Sequence, residues 1–324
     1  MEINNKVCGF FRLEAAKIVD GKEISRRVVA DWFPNLITNA GLDRLSGVGS
    51  TAGYEHFRYG IVGASNTPPA ITDTTIGSIV GVSDGGLVLG SVQAKTSGTN
   101  SISPYYRWAK ITYRFAQGVA TGNLSEVGVG WTGSPTYLLF SHALILDGIG
   151  NPTTITILAD ETLDVLYEYR IYPKETDSTG TTIFTGNIGG TYDWIIRLAN
   201  AATAAANNFN PYLTAMTAMN YCFCGAGVNA CYTTPQNIAA ITSQPTGLVA
   251  QSATIVSFAA YVPGNKFTIA TFTLGLNQSN HVGGIRCVFT SIGPMQLQMQ
   301  FNPAIPKTLN DIVTFTFKQT WNRV

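Results

Sequence analysis

A strict alternation of apolar and polar residues is the feature that most constrains the fold of this chain. Its clearest instance is residues 295–301, MQLQMQF, where every second residue is glutamine. Residues 163–171 and 313–321 show the same period of two. Successive side chains of a β-strand point to opposite faces of the sheet, so this period predicts strands that each bury one face. The fold is therefore predicted to be mainly β, with antiparallel strands in sandwich or jelly-roll-like domains.

Two β-hairpins are predicted in the first 200 residues. Alternating residues run from Phe11 to Ala15 and again from Val28 to Trp32, and Asp20-Gly21 lies between them. Asp-Gly readily adopts the positive φ angles that a two-residue hairpin turn requires. Residues 182–198 form the second predicted hairpin, and the pair Gly189-Gly190 is its predicted turn.

One short helix is predicted near residues 34–46. Phe33, Leu36, Ile37 and Ala40 have the spacing i, i+3, i+4, i+7, which places them on one face of a helix. Proline is tolerated in the first turn of a helix, and a proline stands at position 34. Glycine often ends a helix, so the helix is expected to end before the glycine at position 47.

Composition divides the chain into three parts. Residues 201–251 are rich in alanine, asparagine and threonine and lack the alternation of their neighbours. Such a change in composition is typical of a linker or an insertion. We therefore predict an N-terminal β domain over residues 1–200, a linker or insertion over 201–251, and a C-terminal β domain over 252–324.

The chain carries few charges. Lysine and arginine number 20 and aspartate and glutamate 19, so the formal net charge is +1, and only 12% of residues are charged. About 25% is typical of soluble domains. The near-zero balance argues against nucleic acid or an anionic membrane as the main partner. The sequence contains no run of eighteen apolar residues, so no membrane span is predicted. Residues 1–20 lack the pattern of a secretory signal.

The scarcity of charge favours permanent assembly with other proteins, because uncharged surfaces dock without the cost of desolvating ions. The outward face of the C-terminal strand at 295–301 carries glutamines instead of charges. We therefore interpret Gln296, Gln298 and Gln300 as a candidate assembly contact, and a plain solvated face is the alternative.

Acidic residues offer one possible catalytic site. Asp160, Glu161 and Asp164 lie close together, and paired carboxylates can cleave glycosidic bonds. Adjacent side chains of a strand point apart, however, so we interpret this group as a structural turn. The sequence contains no zinc-protease motif H-E-x-x-H and no P-loop. We therefore predict a protein that is not an enzyme and holds no cofactor.

Aromatic residues and one histidine suggest further sites. Trp108, with Tyr105 and Tyr106, could stack on a sugar ring, but aromatic residues in a sheet more often pair across strands. His142 lies among the apolar residues of a predicted strand. We interpret it as a buried, hydrogen-bonded histidine and not as a catalytic base.

Five cysteines raise the question of zinc. Cys222, Cys224 and Cys231 could bind Zn²⁺ with Cys287 or His281 as the fourth ligand, since thiolates are strong zinc ligands. The C-x-C spacing differs from the usual zinc knuckle, and an odd number of cysteines does not describe a disulfide framework. Reduced thiols without a metal are therefore expected.

Several segments together resemble a family of tailed-bacteriophage virion proteins, described as tail fibre or tail structural proteins. The resemblance covers mainly residues 10–173 and the C-terminus, and residues 200–250 do not share it. The segments are WFPNLITNAGLDRL (32–45), YGIVGASNTPPAITDTTIGS (59–78), EVGVGW (126–131), LFSHALILD (139–147), ITILADETLDVLYEYRIYP (155–173) and VTFTFKQTWNR (313–323).

This resemblance implies a non-enzymatic structural component of the virion, attached at the tail as a fibre-like or adaptor subunit. It also implies a homotrimer, contacts with other virion proteins, attachment to a host surface glycan or protein, and assembly in the host cytoplasm. A capsid decoration or head fibre protein is the first alternative. A polysaccharide-degrading tailspike is the second, although the regular repeats of a long β-helix are absent from the sequence.

Overall fold

The structure of this protein is a computed structural model that describes residues 1–46, 58–84, 95–131, 137–202, 231–251, 255–292 and 295–324. Within these ranges the chain is mainly β, as predicted. In chain order the elements are β1 (Glu2–Val19), β2 (Lys22–Pro34), β3 (Leu36–Ile37), α1 (Asn39–Arg44), β4 (Tyr59–Gly63), β5 (Ile79–Asp84), β6 (Lys95–Asn100), β7 (Tyr106–Phe115), β8 (Gly122–Leu124), β9 (Glu126–Gly130), β10 (Leu139–Leu144), β11 (Ile155–Ile157), β12 (Glu161–Pro173), β13 (Ser178–Phe184), a 3₁₀ turn (Gly186–Ile188), β14 (Gly190–Leu198), β15 (Cys231–Thr234), β16 (Val249–Gln251), β17 (Ile255–Phe258), β18 (Phe267–Leu274), β19 (Ile285–Ile292), β20 (Met295–Ile305) and β21 (Val313–Arg323).

The largest sheet joins the two ends of the chain. Its strand order is β17-β18-β21-β1-β12-β7-β6, and β2 pairs with β1 beside this path. The C-terminal strand β21 runs parallel to β1, with Glu2 opposite Lys318 and Val7 opposite Arg323. The other strand pairs in this sheet are antiparallel.

A six-stranded sheet also combines residues from both sides of the predicted domain boundary. Its order is β13-β14-β20-β19-β15-β16, and β14 pairs with β20 over Asp193–Leu198 and Leu297–Asn302. The predicted β domains 1–200 and 252–324 are therefore not separate sheets. Alternation shows which face of a strand is buried, but it does not show which strand is the neighbour. A five-stranded sheet, β3-β10-β9-β4-β5, and the pair β8-β11 complete the described strands.

The N-terminal hairpin forms as predicted. Strands β1 and β2 pair from Val19 and Lys22 outward, and φ is 49° at Asp20 and 74° at Gly21. The second hairpin, β13 and β14, also forms, but its turn differs from the prediction. Residues 185–189 connect the strands and include the 3₁₀ turn, so the two glycines at 189–190 do not make a two-residue turn.

The helix is shorter than predicted. Pro34 is the last residue of strand β2, Leu36 and Ile37 form strand β3, and α1 spans only Asn39–Arg44. The side chain of Thr38 begins the helix by accepting a hydrogen bond from the backbone N–H of Gly41 at 2.9 Å. Leu36 and Ile37 instead pair with β10, because that pairing satisfies their backbone groups within a sheet.

The inner faces of the sheets share one apolar core. Among its largest buried side chains are Trp321 of β21, Phe140 of β10 and Phe301 of β20, so all three larger sheets contribute. The indole N–H of Trp321 donates to the backbone oxygen of Leu42 at 2.8 Å, which ties the C-terminal strand to α1. No helix within the described ranges is long and apolar enough to cross a membrane.

Candidate functional site

The three glutamines predicted as an assembly contact lie on the outer face of β20, where other parts of the same chain form hydrogen bonds with them. Residues 236–246, here called the strap, run across this face. The Oε1 atom of Gln300 accepts a hydrogen bond from the backbone N–H of Ile238 at 3.1 Å. Gln296 accepts one from Asn200, the residue that follows β14 by two positions, at 2.7 Å. Both of these glutamines keep partial exposure.

Gln298 is the centre of this contact and is 0% exposed. Its Oε1 accepts from the N–H of Ala239 at 2.7 Å, and its Nε2 donates to the carbonyl oxygens of Ala239, Ala240 and Leu198 at 3.1 to 3.2 Å. A carboxamide carries the same donor and acceptor groups as a backbone peptide, so it can replace a neighbouring strand. The prediction is corrected accordingly: Gln298 is not open to a partner, because the chain's own backbone occupies that position.

Two further contacts fix the strap at the end of β14. The guanidinium of Arg197 donates to the backbone oxygen of Ala239 at 2.9 Å and forms a two-point ion pair with Asp177 at 2.7 and 2.8 Å. Beyond β14, the N–H of Ala201 donates to the backbone oxygen of Ile241 at 3.0 Å. The strap therefore belongs to the outer surface of the six-stranded sheet.

The acidic residues singled out in the sequence are all paired with cations. Asp164, whose side chain is 3% exposed, accepts from Arg114 at 2.6 and 2.7 Å and from Arg26 at 2.8 Å. Burial opposes ionisation of Asp164, but the hydrogen bonds and charges of Arg114 and Arg26 outweigh it and hold its pKa below the usual value. Glu161 pairs with Arg27 at 3.0 Å.

Asp160 pairs with Lys17 at 2.8 Å. The pKa values of Asp160 and Glu161 are also lowered. For Asp160 the main cause is its hydrogen bond with Lys17, and for Glu161 hydrogen bonds from Leu158 and Arg27 outweigh burial. A glycosidase needs one carboxyl group with a raised pKa as its general acid. This group contains none, and its arrangement suits cross-strand ion pairing.

Aromatic and basic side chains cluster on the outer face of the large sheet. The ammonium of Lys110 lies 4.8 Å from the ring centre of Trp32 and 5.5 Å from that of Trp108. The guanidinium of Arg170 lies 4.7 Å from the ring centre of Tyr106. These five residues, here called the aromatic–basic face, come from β2, β7 and β12.

The aromatic–basic face stays in contact with water. Trp32 is 37% exposed, and Tyr106, Trp108, Lys110 and Arg170 are each partly exposed. Tyr105, which the sequence grouped with Tyr106 and Trp108, is placed apart, and its backbone N–H donates to Glu175. Aromatic side chains and arginine are enriched where proteins bind partners. The aromatic–basic face therefore has the composition that is typical of a binding surface.

His142 forms a buried network with two carboxylates that the sequence did not identify. It is 4% exposed, and its Nδ1 lies 2.8 Å from Asp73 Oδ2 and its Nε2 3.0 Å from Glu126 Oε2. Ionised carboxylates only accept hydrogen bonds, so this arrangement favours a ring whose two nitrogens both donate, which is the imidazolium form. Burial opposes this charge, but the hydrogen bonds to Glu126 and Asp73 outweigh it and raise the pKa of His142.

Glu126 connects this network to the loop at residues 64–78. Its two oxygens accept from the backbone N–H groups of Ser65, Gly77 and Ser78 at 2.8 to 3.1 Å. Burial opposes ionisation of Glu126, but His142 and these N–H groups lower its pKa. One signal in the sequence could have revealed this network. Glu126 is the charged first residue of the otherwise apolar segment EVGVGW.

This network has the histidine and carboxylate of a catalytic triad, but the serine next to His142 in the sequence is not part of it. The neighbouring Ser141 points away and accepts a hydrogen bond from Asn35 at 2.9 Å. Both nitrogens of His142 are occupied by carboxylates, so neither is free to act as a base. The network therefore fastens the loop at 64–78 to the five-stranded sheet, in agreement with the interpretation of His142 as a buried, hydrogen-bonded residue.

Only part of the proposed zinc site falls within the described residues, because Cys222 and Cys224 lie outside them. Cys231 and Cys287 are free, buried thiols, and burial raises the pKa of each to about 12. His281 is hydrogen-bonded through Nε2 to a threonine, Thr233, at 2.8 Å. Among the described residues, no three His, Cys, Asp or Glu side chains are placed to hold a metal ion.

Comparison with known proteins gives no relative. No protein-family model matches this chain, and neither a curated protein nor a solved structure matches it.

Proposed function

We propose that this protein is a non-enzymatic structural subunit of a tailed-bacteriophage virion, attached at the tail as a fibre-like or adaptor component. The proposal begins from the segments that resemble tail structural proteins. The segment at 155–173 contains β11 and β12, and the segment at 313–323 is β21. Both β12 and β21 flank β1 in the large sheet. The resembling residues thus build the framework of the fold.

The observation that carries the non-enzymatic part of the proposal is the pairing of the acidic group. Asp160, Glu161 and Asp164 are each held ionised against lysine or arginine, so none is available as a general acid. A tailspike that degrades polysaccharide would need such an acid. The structural role is therefore favoured over this alternative.

The aromatic–basic face is the surface we assign to a neighbouring virion protein or to the host surface. Trp32 and Trp108 supply large contact areas, while Lys110 and Arg170 already have carboxylate partners and need no further charge from the partner. Burying such rings stabilises an interface without leaving an unpaired ion behind.

The virion role is tested by finding the protein in purified particles. The chain is tagged at its C-terminus in the phage genome, and particles are banded by density and examined by quantitative mass spectrometry and gold labelling. A fixed number of copies at the tail is expected. Label on the head would favour the decoration or head fibre alternative, and particles that are infectious yet lack the chain would overturn the proposal.

The absence of activity is tested separately. The purified protein is incubated with host surface polysaccharide and with peptidoglycan, and new reducing ends are measured. No release above buffer is expected. Release that disappears in Glu161→Gln but persists in Asp147→Asn, a change at an exposed turn carboxylate, would contradict the proposal.

A further inference from the structure

No strand in the described part of the chain pairs with the outer edge of β13, which is the edge strand of the six-stranded sheet. Its sequence, STGTTIF, has seven residues without a charge or a proline, and it pairs with β14 in an unbroken register. Among the described residues β14 is its only strand partner, so the other edge of β13 presents free backbone groups. Such an edge is a template for another strand, and proteins usually protect it.

Other edge strands in the described part of the chain are protected or short. The charged edge strand β2 contains lysine, arginine, glutamate and aspartate, and its register with β1 is shifted at three points. Strand β5 contains Asp84, which is paired with Arg58, and its register with β4 is also shifted. Strands β16 and β17 have three and four residues. Strand β6 directly follows residues outside the described part.

Strand β13 is also held in a fixed, extended shape. The ring of Trp194 packs across Gly180 and leaves no room for a side chain there. Phe184 packs against Tyr192, Phe301 and Phe315 at ring distances of 5.4 to 6.5 Å. The outer side chains Thr179, Thr181 and Ile183 remain exposed, and Ile183 is 73% exposed. A strand that is already ordered loses little entropy when it pairs.

We propose that β13 pairs with β13 of a second copy of this chain, antiparallel and about a two-fold axis at Thr181. The two six-stranded sheets would then form one continuous sheet across the dimer. This inference goes beyond the proposed virion role and does not depend on it, because it rests on the edge strand alone.

The sequence of β13 is suited to pairing with itself. In a register centred on Thr181, Thr179 lies opposite Ile183 of the copy, and the two Thr181 residues lie opposite each other. Threonine and β-branched pairs of this kind are favourable across strands. The nearest acidic residue before the strand, Asp177, would lie opposite Thr185 of the copy, so like charges do not meet. A parallel arrangement would instead place the two Asp177 residues side by side.

The two-fold axis distinguishes this contact from the trimer that the sequence resemblance implies. An antiparallel pair of identical strands is closed by one copy and cannot accept a third. The mass of the particle in solution therefore separates the two arrangements.

The first experiment measures the mass of the full-length protein by light scattering after size-exclusion chromatography, at protein concentrations from about 0.1 µM to about 100 µM. A dimer of twice the 34.7 kDa chain is expected, with a monomer at the lowest concentrations. Hydrogen exchange at the same concentrations should show slower exchange at residues 178–184 in the dimer. A monomer or a trimer throughout would overturn the proposal, whether or not residues 178–184 exchange slowly.

The second experiment changes the residue on the axis. Thr181→Lys places two lysines opposite each other and should raise the dimer dissociation constant about tenfold or more. Thr181→Glu should do the same, and an equal mixture of the two variants should restore the dimer. Thr191→Lys is the matched control, since Thr191 is exposed on the same face of β14 but one strand away from the edge.

Circular dichroism and thermal unfolding confirm that each variant remains folded, as expected for exposed positions. Loss of the dimer in Thr181→Lys, its recovery in the mixture and an unchanged Thr191→Lys would support the proposal. An unchanged dimer in Thr181→Lys, or dissociation in the Thr191→Lys control, would overturn it, because either result places the contact elsewhere. Failure of these tests would leave the virion assay unaffected, so the two proposals fail separately.

Discussion

The outer faces of β12 and β20 have the same alternation in sequence but opposite surroundings in the structure. On β12 the outward residues include Asp164, Glu168 and Arg170, and the cationic partners of the two carboxylates reach water. On β20 the outward residues include Gln298, and the strap covers it completely. The polar half of an alternating strand can therefore face water or the chain's own backbone.

The difference follows from the cost of removing each group from water. A neutral amide loses little when backbone groups replace its water hydrogen bonds one for one, as they do at Gln298. An ion loses much more, and burial is tolerated only with a close partner, as at Asp164. Glutamine rows thus suit a face that will be covered, and charged rows suit a face that stays open.

A charge placed on the covered face should give the largest effect. Gln298→Lys puts an unpaired ammonium beneath the strap and should lower the free energy of unfolding by about 3 kcal/mol or more. Urea unfolding followed by circular dichroism measures this. Thr316→Lys, at an exposed position of β21, is the control and should change stability by less than about 0.5 kcal/mol. Equal losses in both variants would remove the distinction between the two faces.

Removing a charge from the open face should cost less but remain measurable. Asp164→Asn leaves Arg26 and Arg114 close together without their shared carboxylate, and both are about one third exposed, so solvent reduces the penalty. A loss of about 2 kcal/mol is expected in the same urea assay. The control is Lys17→Met, which breaks an exposed ion pair and should leave the unfolding midpoint unchanged. No loss in Asp164→Asn would show that the ion pairs on this face are energetically neutral.

The ring of His142 is a third case, because it is a charged group that the fold buries between two carboxylates. The pKa of His142 is raised above 6.5 in the folded state. Its contribution is thus fully present below pH 6.5 and is lost as the pH rises through the folded pKa. The urea midpoint of the wild type should fall as the pH rises from 6 to 9.

His142→Gln should be less stable at pH 6 and lose most of this pH dependence. The lowered pKa of Glu126 acts in the opposite range, because its contribution is present above 4.5 and is lost as the pH falls through the folded pKa. The same slope above pH 6 in both proteins would show that another group titrates there.

The smallest expected effect is a local loosening of the strap. The alkylation rates of two cysteines, one on each face, measure it. Cys287 lies opposite Gln300 on the covered face, and Cys8 lies on the outer face of the large sheet, where burial raises its pKa to about 11. Gln298→Ala should loosen the strap and speed alkylation of Cys287 in the native protein, while alkylation of Cys8 stays unchanged. Residue-resolved mass spectrometry measures both rates. Equal acceleration at Cys8 would indicate global unfolding.

Much of the local structure could be predicted because its causes are local. Alternation identified the buried faces of β1, β12, β20 and β21, and Asp20-Gly21 predicted the first hairpin turn because its backbone preference does not depend on distant residues. The helix near 34–46 was predicted too long, since Leu36 and Ile37 fit a helical spacing in the sequence but pair with β10 in the structure.

The surroundings of each face were decided by the tertiary structure alone. The sequence by itself determined that Gln296, Gln298 and Gln300 lie on one face of a strand, because side-chain direction follows from the strand's own geometry. It did not determine that residues 236–246 bind Gln298 and Gln300, that Asp73 and Glu126 meet at His142, or that β21 pairs with β1. Those contacts join residues from 16 to more than 300 positions apart, and they form only when the whole chain has packed.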